Sequence, residues 1–397
     1  MRVDLPSGLP WDDGRWACQI LRDAGHEAWF VGGCVRDLLL VRPVHDVDVA
    51  TSAHPDQIEK LFSKVIAVGR AFGVMIAVTP EGRNIELATF RHDGAYIDGR
   101  HPAEVTFSTA HEDVHRRDFT INGLLLDPRD GSVIDHVGGL EDLKARVLRV
   151  IDGAQRLSED RLRVLRGLRF IAHLTLTPTE ETWKAIVDTP LTGLSRERIW
   201  QEISKGLQTS PARWFEQIAT SGHLADVLPP VPPSSAPTIK TALAHVTSED
   251  DPLVALAIVI NAAPEASRWS WMQQEPVPRE RTKRLREAIT GAATLAGGCA
   301  VAQRRRVMRG SEAALVVRLL TCLGQVPEAP TWLAEEQAAG HVTPLVTAKD
   351  LLALGFHPGP DLGRVLQDIE NQQLNGQLKN ADDAVTWALD HLKKGSF

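Results

Sequence analysis

The chain has 397 residues, 43% hydrophobic and 24% charged, a balance that excludes a disordered polymer and gives room for roughly two to four domains with a sizeable core. Lysine and arginine number 44 against 51 aspartate and glutamate, a net charge of −7, which argues against indiscriminate nucleic-acid binding. Residues 1–13 are polar and proline-broken, unlike a signal peptide, and no apolar run is long enough to span a bilayer, so no membrane partner is expected and the cytoplasm is the expected location.

The apolar Ala28-Trp29-Phe30-Val31 predicts a strand that runs into Gly32-Gly33 and then into a helix over Val35–Leu40. Backbone N–H groups at such a helix start can cradle a triphosphate, because glycine lets a phosphate approach closely and the helix dipole favours negative charge. Asp46 and Asp48 follow in Val44-His45-Asp46-Val47-Asp48-Val49-Ala50. Residues i and i+2 of a strand point to one face, so the two carboxylates are expected side by side at a sheet edge. Hard oxygen ligands suit Mg2+, and two such ions roughly 4 Å apart bind both the attacking and the leaving oxygen of an in-line phosphoryl displacement. Alone, an Asp-x-Asp is usually a turn or a helix cap, and a Gly-Gly pair a tight turn. In this order, on these predicted elements, they read as a metal-dependent nucleotidyl-transfer site. The His45-Asp46 dipeptide suggests a metal phosphohydrolase, but no second His-Asp cluster of suitable spacing supports it.

Beyond the acid pair the pattern alternates between a helix over Pro55–Phe62 and short β-branched runs, Val65–Val68 and Val74–Val78. Glu86 lies in the alternating strand Asn84–Phe90; it either completes the metal site, orients the attacking hydroxyl, or is an exposed strand residue. Tyr96–Pro102 is rich in turn formers and reads as a mobile loop. In Arg116-Arg117-Asp118 the aspartate can cap a helix, and the arginines can reach phosphate through forked donors. After Asp142 the periodicity is helical almost throughout. Asp160, Arg163, Arg166 and Arg169, at i, i+3, i+6 and i+9, are expected as a slowly drifting stripe on one helix. A carboxylate beside guanidinium donors can read the Watson–Crick edge of a base. The bland alternative is a salt-bridged amphipathic helix, whose apolar face Leu162, Leu165, Leu168 and Phe170 supply in either case. Prolines 229–233, and again Pro327 and Pro330, break the remaining helical segments. Basic residues cluster at Arg279–Arg286 and at Arg304–Arg309, more often a solvated helix face than a binding site. Cys18, Cys34, Cys299 and Cys322 show no C-x-x-C spacing, so neither a disulfide framework nor a zinc site is expected.

Taken in order, Gly32–Asp37 with Asp46-Val47-Asp48, Glu86–Arg91, Asp98-Gly99-Arg100, Arg116–Leu124, Glu159–Phe170 and Leu194–Ile199 resemble the class II tRNA nucleotidyltransferase and poly(A) polymerase family. Thr347–Phe356 with Pro358-Gly359-Pro360 is similar to the tail of bacterial members, the CCA-adding enzymes, so the resemblance extends over the whole chain. It implies an α+β protein: a polymerase-beta-like nucleotidyltransferase head over residues 1–142, a helical neck over 143–207, a helical body over 208–330 and a helical tail over 331–397. It implies addition of the 3′-terminal CCA to tRNA from CTP and ATP with Mg2+ at Asp46 and Asp48. The phosphates would lie on Gly32, Gly33 and Arg36, and Arg117 would contact the nucleotide. Asp160 and Arg163 would choose the base, with Arg166 and Arg169 also touching nucleotide, and body and tail would hold the tRNA acceptor arm. Within the same chemistry the rivals are A-only addition and poly(A) synthesis; the rival of another class is an inactive RNA-binding homologue. Poly(A) polymerases of the family typically carry a longer basic segment where this chain has Val68–Met75.

Overall fold

In the computed structural model, which describes residues 1–94, 105–340 and 342–393, the chain divides into units of residues 1–229 and 230–397. The first opens with helix α1 (Trp11–Asp23), strand β1 (Ala28–Val31), α2 (Gly33–Leu39), β2 (Asp48–Thr51), α3 (Pro55–Leu61), β3 (Val65–Gly69), β4 (Val74–Val78) and β5 (Asn84–Thr89). It continues through β6 (Arg91–Asp93), β7 (Val105–Phe107), α4 (Ala110–His115), β8 (Leu124–Leu126), β9 (Val133–Asp135) and α5 (Gly139–Ala145). Seven of the strands form one sheet in the order β3-β4-β5-β2-β1-β8-β9. Neighbours are antiparallel except for the parallel pair of β2 and β5.

The period-two burial of β1 covers both faces of this sheet. Phe30 turns toward α1, where its ring lies 5.6 Å from that of Trp11, while Val31 joins Ala50, Phe90, Val114 and Leu125 on the other side. Gly14 lets α1 lie directly on the strand ends, since a Cβ there would come within 2.7 Å of the Phe30 ring and 2.8 Å of Val47.

The rest of the unit is mostly helical, with one short parallel strand pair, Val147–Leu148 and Thr177–Pro178: α6 (Gln155–Glu159), α7 (Leu162–Leu174), α8 (Glu180–Asp188), α9 (Arg196–Thr209), α10 (Pro211–Thr220) and α11 (Leu224–Val227). The apolar face expected for α7 is present, with Val164, Leu165, Leu168 and Phe170 buried. Phe170 meets Phe119 edge-on at 5.9 Å. Gly167 makes that seam close, because a Cβ there would stand 2.9 Å from Phe119.

The second unit is helical throughout its described residues: α12 (Ala236–Leu243), α13 (Leu253–Asn261), α14 (Glu265–Gln274), α15 (Arg279–Ala296), α16 (Val301–Arg309), α17 (Ala313–Cys322), α18 (Ala329–Ala339), α19 (Ala348–Ala353), α20 (Pro360–Leu374) and α21 (Ala381–Lys393). Every residue of α13 from Leu253 to Ile260 is buried, as expected of a helix with no polar face. Val346, Leu351, Phe356, Val365 and Ile369 form a separate core near its end. Both basic clusters include arginines held by partners within the fold. On α16, Arg305 and Arg309 share Glu336 at 2.6 and 2.5 Å, Arg306 pairs with Glu370, and Arg304 lies over Trp332. On α15, Arg284 pairs with Asp251 and Glu312 and Arg286 lies over Trp269, while Arg279 and Arg281 are exposed. Among the described residues no helix is long and apolar enough to cross a membrane.

Candidate active site

Strand register brings the glycines to the acids. In the antiparallel pair of β1 and β2, Val31 stands opposite Asp48, so the next residue, Gly32, turns beside that carboxylate. Gly32 adopts φ +73, the left-handed region that favours glycine. A Cβ there would point into a notch 3.5 Å from Arg117 Nη1 and 4.0 Å from Asp48 Oδ2. In the parallel pair of β2 and β5, Val49 stands beside Leu87, which places Glu86 next to Asp48 from the neighbouring strand.

One expectation needs correcting: Asp46 does not lie on the strand. The ladder begins at Asp48 because β1 has ended at Val31 and turned away through Gly32, leaving Asp46 no strand partner. The alternation still holds, with Val47 buried in the core and the aspartates on either side of it turned outward. Burial pushes the Asp48 carboxyl up to about 7, and the charges of Glu86 and Asp46 add to the rise. Glu86 is raised too, by desolvation and then by Asp46. The three carboxyls thus feel one another, and such like-charged oxygen donors are the set that a hard divalent cation relieves. Among the described residues no group of three or more His, Cys, Asp or Glu is placed to hold a metal ion.

The arginines are braced by acids that the sequence reading did not single out. Arg117 donates from Nη2 to Asp113 Oδ2 at 2.9 Å, an i, i+4 pair legible in principle from spacing. This anchors the guanidinium while Nη1 faces the Gly32 notch. Asp113 is buried and its carboxyl lies below the usual range: burial would raise it, but Arg117 and Arg116 outweigh that. Arg36 is buried; it donates from Nη1 to Asn122 Oδ1 at 2.8 Å and from Nη2 to Asp37 at 2.8 Å, and lies over the Phe170 ring.

Asp160 also departs from expectation, since it is not on the arginine helix. α6 ends at Glu159, Asp160 is extended at φ −133, and α7 starts at Leu162. The break has a local cause: Asp160 Oδ1 accepts the Leu162 N–H at 3.2 Å, a side-chain turn that competes with helix. Its carboxylate then accepts from Arg198 of α9 at 2.8 Å. Arg163, Arg166 and Arg169 do share the helix. Arg163 donates to the carbonyls of Arg156 at 2.8 Å and Arg116 at 2.9 Å. Arg166 donates to Asp118 at 2.7 Å, and Arg169 to buried Glu202 at 2.6 Å. Asp118 is therefore not the expected helix cap. Its carboxylate accepts from Arg166, Asn122 Nδ2 and the Phe119 N–H.

A cleft of about 730 Å³ gathers Gly32, Gly33, Arg36, Asp46, Asp48, Arg117, Asp160, Arg163, Arg166 and Arg169 onto one wall system, joined by Arg198 and Lys205. Of the predicted site residues only Glu86 lies outside it. Glu86 lines an adjoining cleft of about 560 Å³, which Asp46 and Asp48 share. The expected loop at Tyr96–Pro102 lies outside the described residues.

Comparison with known proteins agrees with this assembly. A Poly A polymerase head domain model matches residues 28–149, and a tRNA nucleotidyltransferase domain 2 model matches residues 341–388. The CCA-adding enzyme of Levilactobacillus brevis is 32% identical over 386 residues, covering 94% of this chain and 95% of that protein. That of Streptococcus sanguinis is 32% identical over 92% of this chain and 93% of its own length. The solved Bacillus stearothermophilus CCA-adding enzyme, in complex with CTP, matches with a TM-score of 0.75 at 27% identity, covering 98% of this chain and 99% of that one. The Thermotoga maritima CCA-adding enzyme complexed with tRNA_CCA has the same fold, with a TM-score of 0.71 at 21% identity over 98% and 97% of the chains. With relatives this similar along nearly the full length of both sequences, the chain belongs to the family of CCA-adding enzymes.

Proposed function

We propose that this chain completes the 3′ end of tRNA by adding C, C and A from CTP and ATP, selecting each base with its own side chains. The observation that carries the reading is the single cleft in which the aspartate pair, the glycine notch and the arginines of α7 face one another. Asp46 and Asp48 would hold Mg2+, which neutralises the triphosphate and polarises the attacking hydroxyl when bound. Gly32 leaves room for a phosphate beside Arg117, whose anchored fork suits that contact. Gly33 and the braced Arg36 complete the phosphate side. Cytosine and adenine both offer an exocyclic amino donor, which Asp160 can accept, beside a ring acceptor that Arg163 can serve; uracil and guanine present a carbonyl where that donor would be. Arg166 and Arg169 extend the same row of donors, held by Asp118 and Glu202. Residues 143–207 act as the neck that carries selection, and 208–330 and 331–397 as body and tail that grip RNA. The enzyme works where the tRNA pool is, in the cytoplasm.

The test is incubation of a tRNA lacking its last three nucleotides with labelled CTP, followed by ATP. Incorporation of two cytidines and then one adenosine is expected. No cytidine incorporation would leave A-only addition, and an extended adenosine ladder would indicate poly(A) synthesis. Asp46→Ala is expected to abolish incorporation, as is chelation of divalent ions with recovery on adding Mg2+. Equal incorporation by wild type and Asp46→Ala would remove the metal assignment, and no incorporation by either protein would favour an inactive RNA-binding homologue.

A further inference from the structure

We propose that His173, acting through Arg42, is a positioning residue for Asp46. The inference rests on the nucleotidyl-transfer reading above. Residues 43–47 belong to no helix or strand, so the place of Asp46 depends on what grips this segment at its two ends. At the far end Val47 is buried in the core, and a Cβ on Gly14 would come within 2.8 Å of it. At the near end Arg42 Nη2 meets Nε2 of His173, in the last turn of α7, at 2.7 Å. Little slack lies between the two grips, because Pro43 fixes its own φ and turns Arg42 toward extended conformations. The turn that delivers Arg42 is strained. α2 ends at Leu39, and Val41 takes φ +54, a left-handed conformation that β-branched residues avoid, with its side chain 94% exposed. A side chain so exposed has no packing to offset that strain, which leaves the task to Arg42. Its N–H donates to the Asp37 carbonyl at 2.8 Å, and its guanidinium to His173.

A guanidinium has donors and no acceptor, which fixes the histidine tautomer: Nε2 carries the lone pair and Nδ1 the proton. A protonated ring would turn a donor toward a donor, and the clamp would open. The surroundings keep the ring neutral. Burial, and then the charge of Arg42, hold His173 below the usual imidazole range, with Arg169 and Arg36 acting in the same direction and Asp37 against it. The other elements packed on this end of α7 add mostly cations. Arg146 donates to the Leu174 carbonyl and Arg213 of α10 to the Thr175 hydroxyl, while Glu202 of α9 is taken up by Arg169. The clamp is therefore closed at neutral pH and opens as pH falls below the ordinary imidazole value.

Three variants of the full chain separate the clamp from mere packing. His173→Gln keeps an oxygen that accepts from Arg42 but takes up no proton, whereas His173→Leu and Arg42→Met each remove one side of the contact. With CTP and tRNA lacking its three terminal nucleotides, kcat at pH 8 is expected to fall about tenfold in His173→Leu and Arg42→Met, with the KM for CTP within about twofold of wild type. His173→Gln should match wild type at pH 8 and exceed its kcat about threefold at pH 5.5. Amide hydrogen exchange of the metal-free protein supplies a readout that needs no activity. Peptides over residues 41–47 should exchange about fivefold faster in His173→Leu and Arg42→Met than in wild type or His173→Gln, with the helices unchanged. Unaltered kcat in His173→Leu and Arg42→Met, an acid limb that His173→Gln leaves in place, or equal exchange over residues 41–47 would each overturn the proposal. Exchange raised over every peptide in both His173→Leu and Arg42→Met would also overturn it, since the pair would then serve the fold alone. Wild type that incorporates nothing would overturn the transfer reading instead, and the exchange comparison would still decide whether the clamp holds the segment.

Discussion

Asp118→Asn removes one charge from the seam between the sheet and α7 while keeping the side chain's shape. In the wild type the Asp118 carboxyl lies at about 2 against an ordinary 3.8: burial would raise it, but Arg166, the Asn122 amide and Arg163 outweigh burial. At 1.36 kcal/mol per unit, a shift of nearly two units stabilises the folded state by about 2 kcal/mol. The sign follows from a depressed folded pKa. This stabilisation is complete above the unfolded value of 3.8 and disappears as pH falls through about 2. Urea unfolding of the full chain should therefore find Asp118→Asn less stable by about 2 kcal/mol at pH 7, and the gap should shrink by about 1 kcal/mol at pH 3. Since Arg166 loses its anchor, the KM for CTP should rise as well. Equal stabilities at pH 7, or a gap as wide at pH 3 as at pH 7, would refute the idea that this ion pair holds α7 to the residues that follow α4.

Gly32→Ala forces a side chain into the left-handed region and into the notch between Arg117 and Asp48; it should cost about 1–2 kcal/mol of stability and most of the activity, which a thermal melt and an incorporation assay separate. Asp160→Ala should leave the rate with CTP lowered and the preference for CTP over UTP reduced about tenfold, measured as a ratio of kcat/KM. Glu336→Gln, which withdraws the charge shared by Arg305 and Arg309, should destabilise the chain by about 1–3 kcal/mol. It should leave tRNA affinity by filter binding unchanged, because those arginines serve the fold.

The strand–glycine–helix start and the acid pair were legible because each is local: Phe30 and Val31 alternate, Gly32 permits one turn, and Val47 points inward between two aspartates. The apolar face of α7 was equally plain. Boundaries failed where a side chain competes with the backbone, as at Asp160, whose oxygen takes the Leu162 N–H and ends a helix that periodicity alone would carry through. Asp46 was placed on a strand because alternation outlasts the hydrogen-bonded ladder by two residues. The braces were the least legible. Glu202 meets Arg169 across 33 positions and Asp118 meets Arg166 across 48, and no periodicity connects such pairs. The basic run on α16 reads from sequence as a solvated helix face, yet Glu336 and Glu370, both distant in sequence, pair with its arginines.

The bracing carboxylates have a consequence for fidelity. Asp160 is held by Arg198, and Arg166 and Arg169 by Asp118 and Glu202, so the α7 side of the cleft carries charges that are already paired. A base bound there, as proposed above, would have to replace one of these partners. On the proposed reading, cytosine or adenine would offer Asp160 an amino group in exchange for Arg198, whereas uracil or guanine would present a carbonyl there. Binding of a base at Asp160 would then begin with the loss of an existing ion pair, which sets a threshold that the matching edge has to repay.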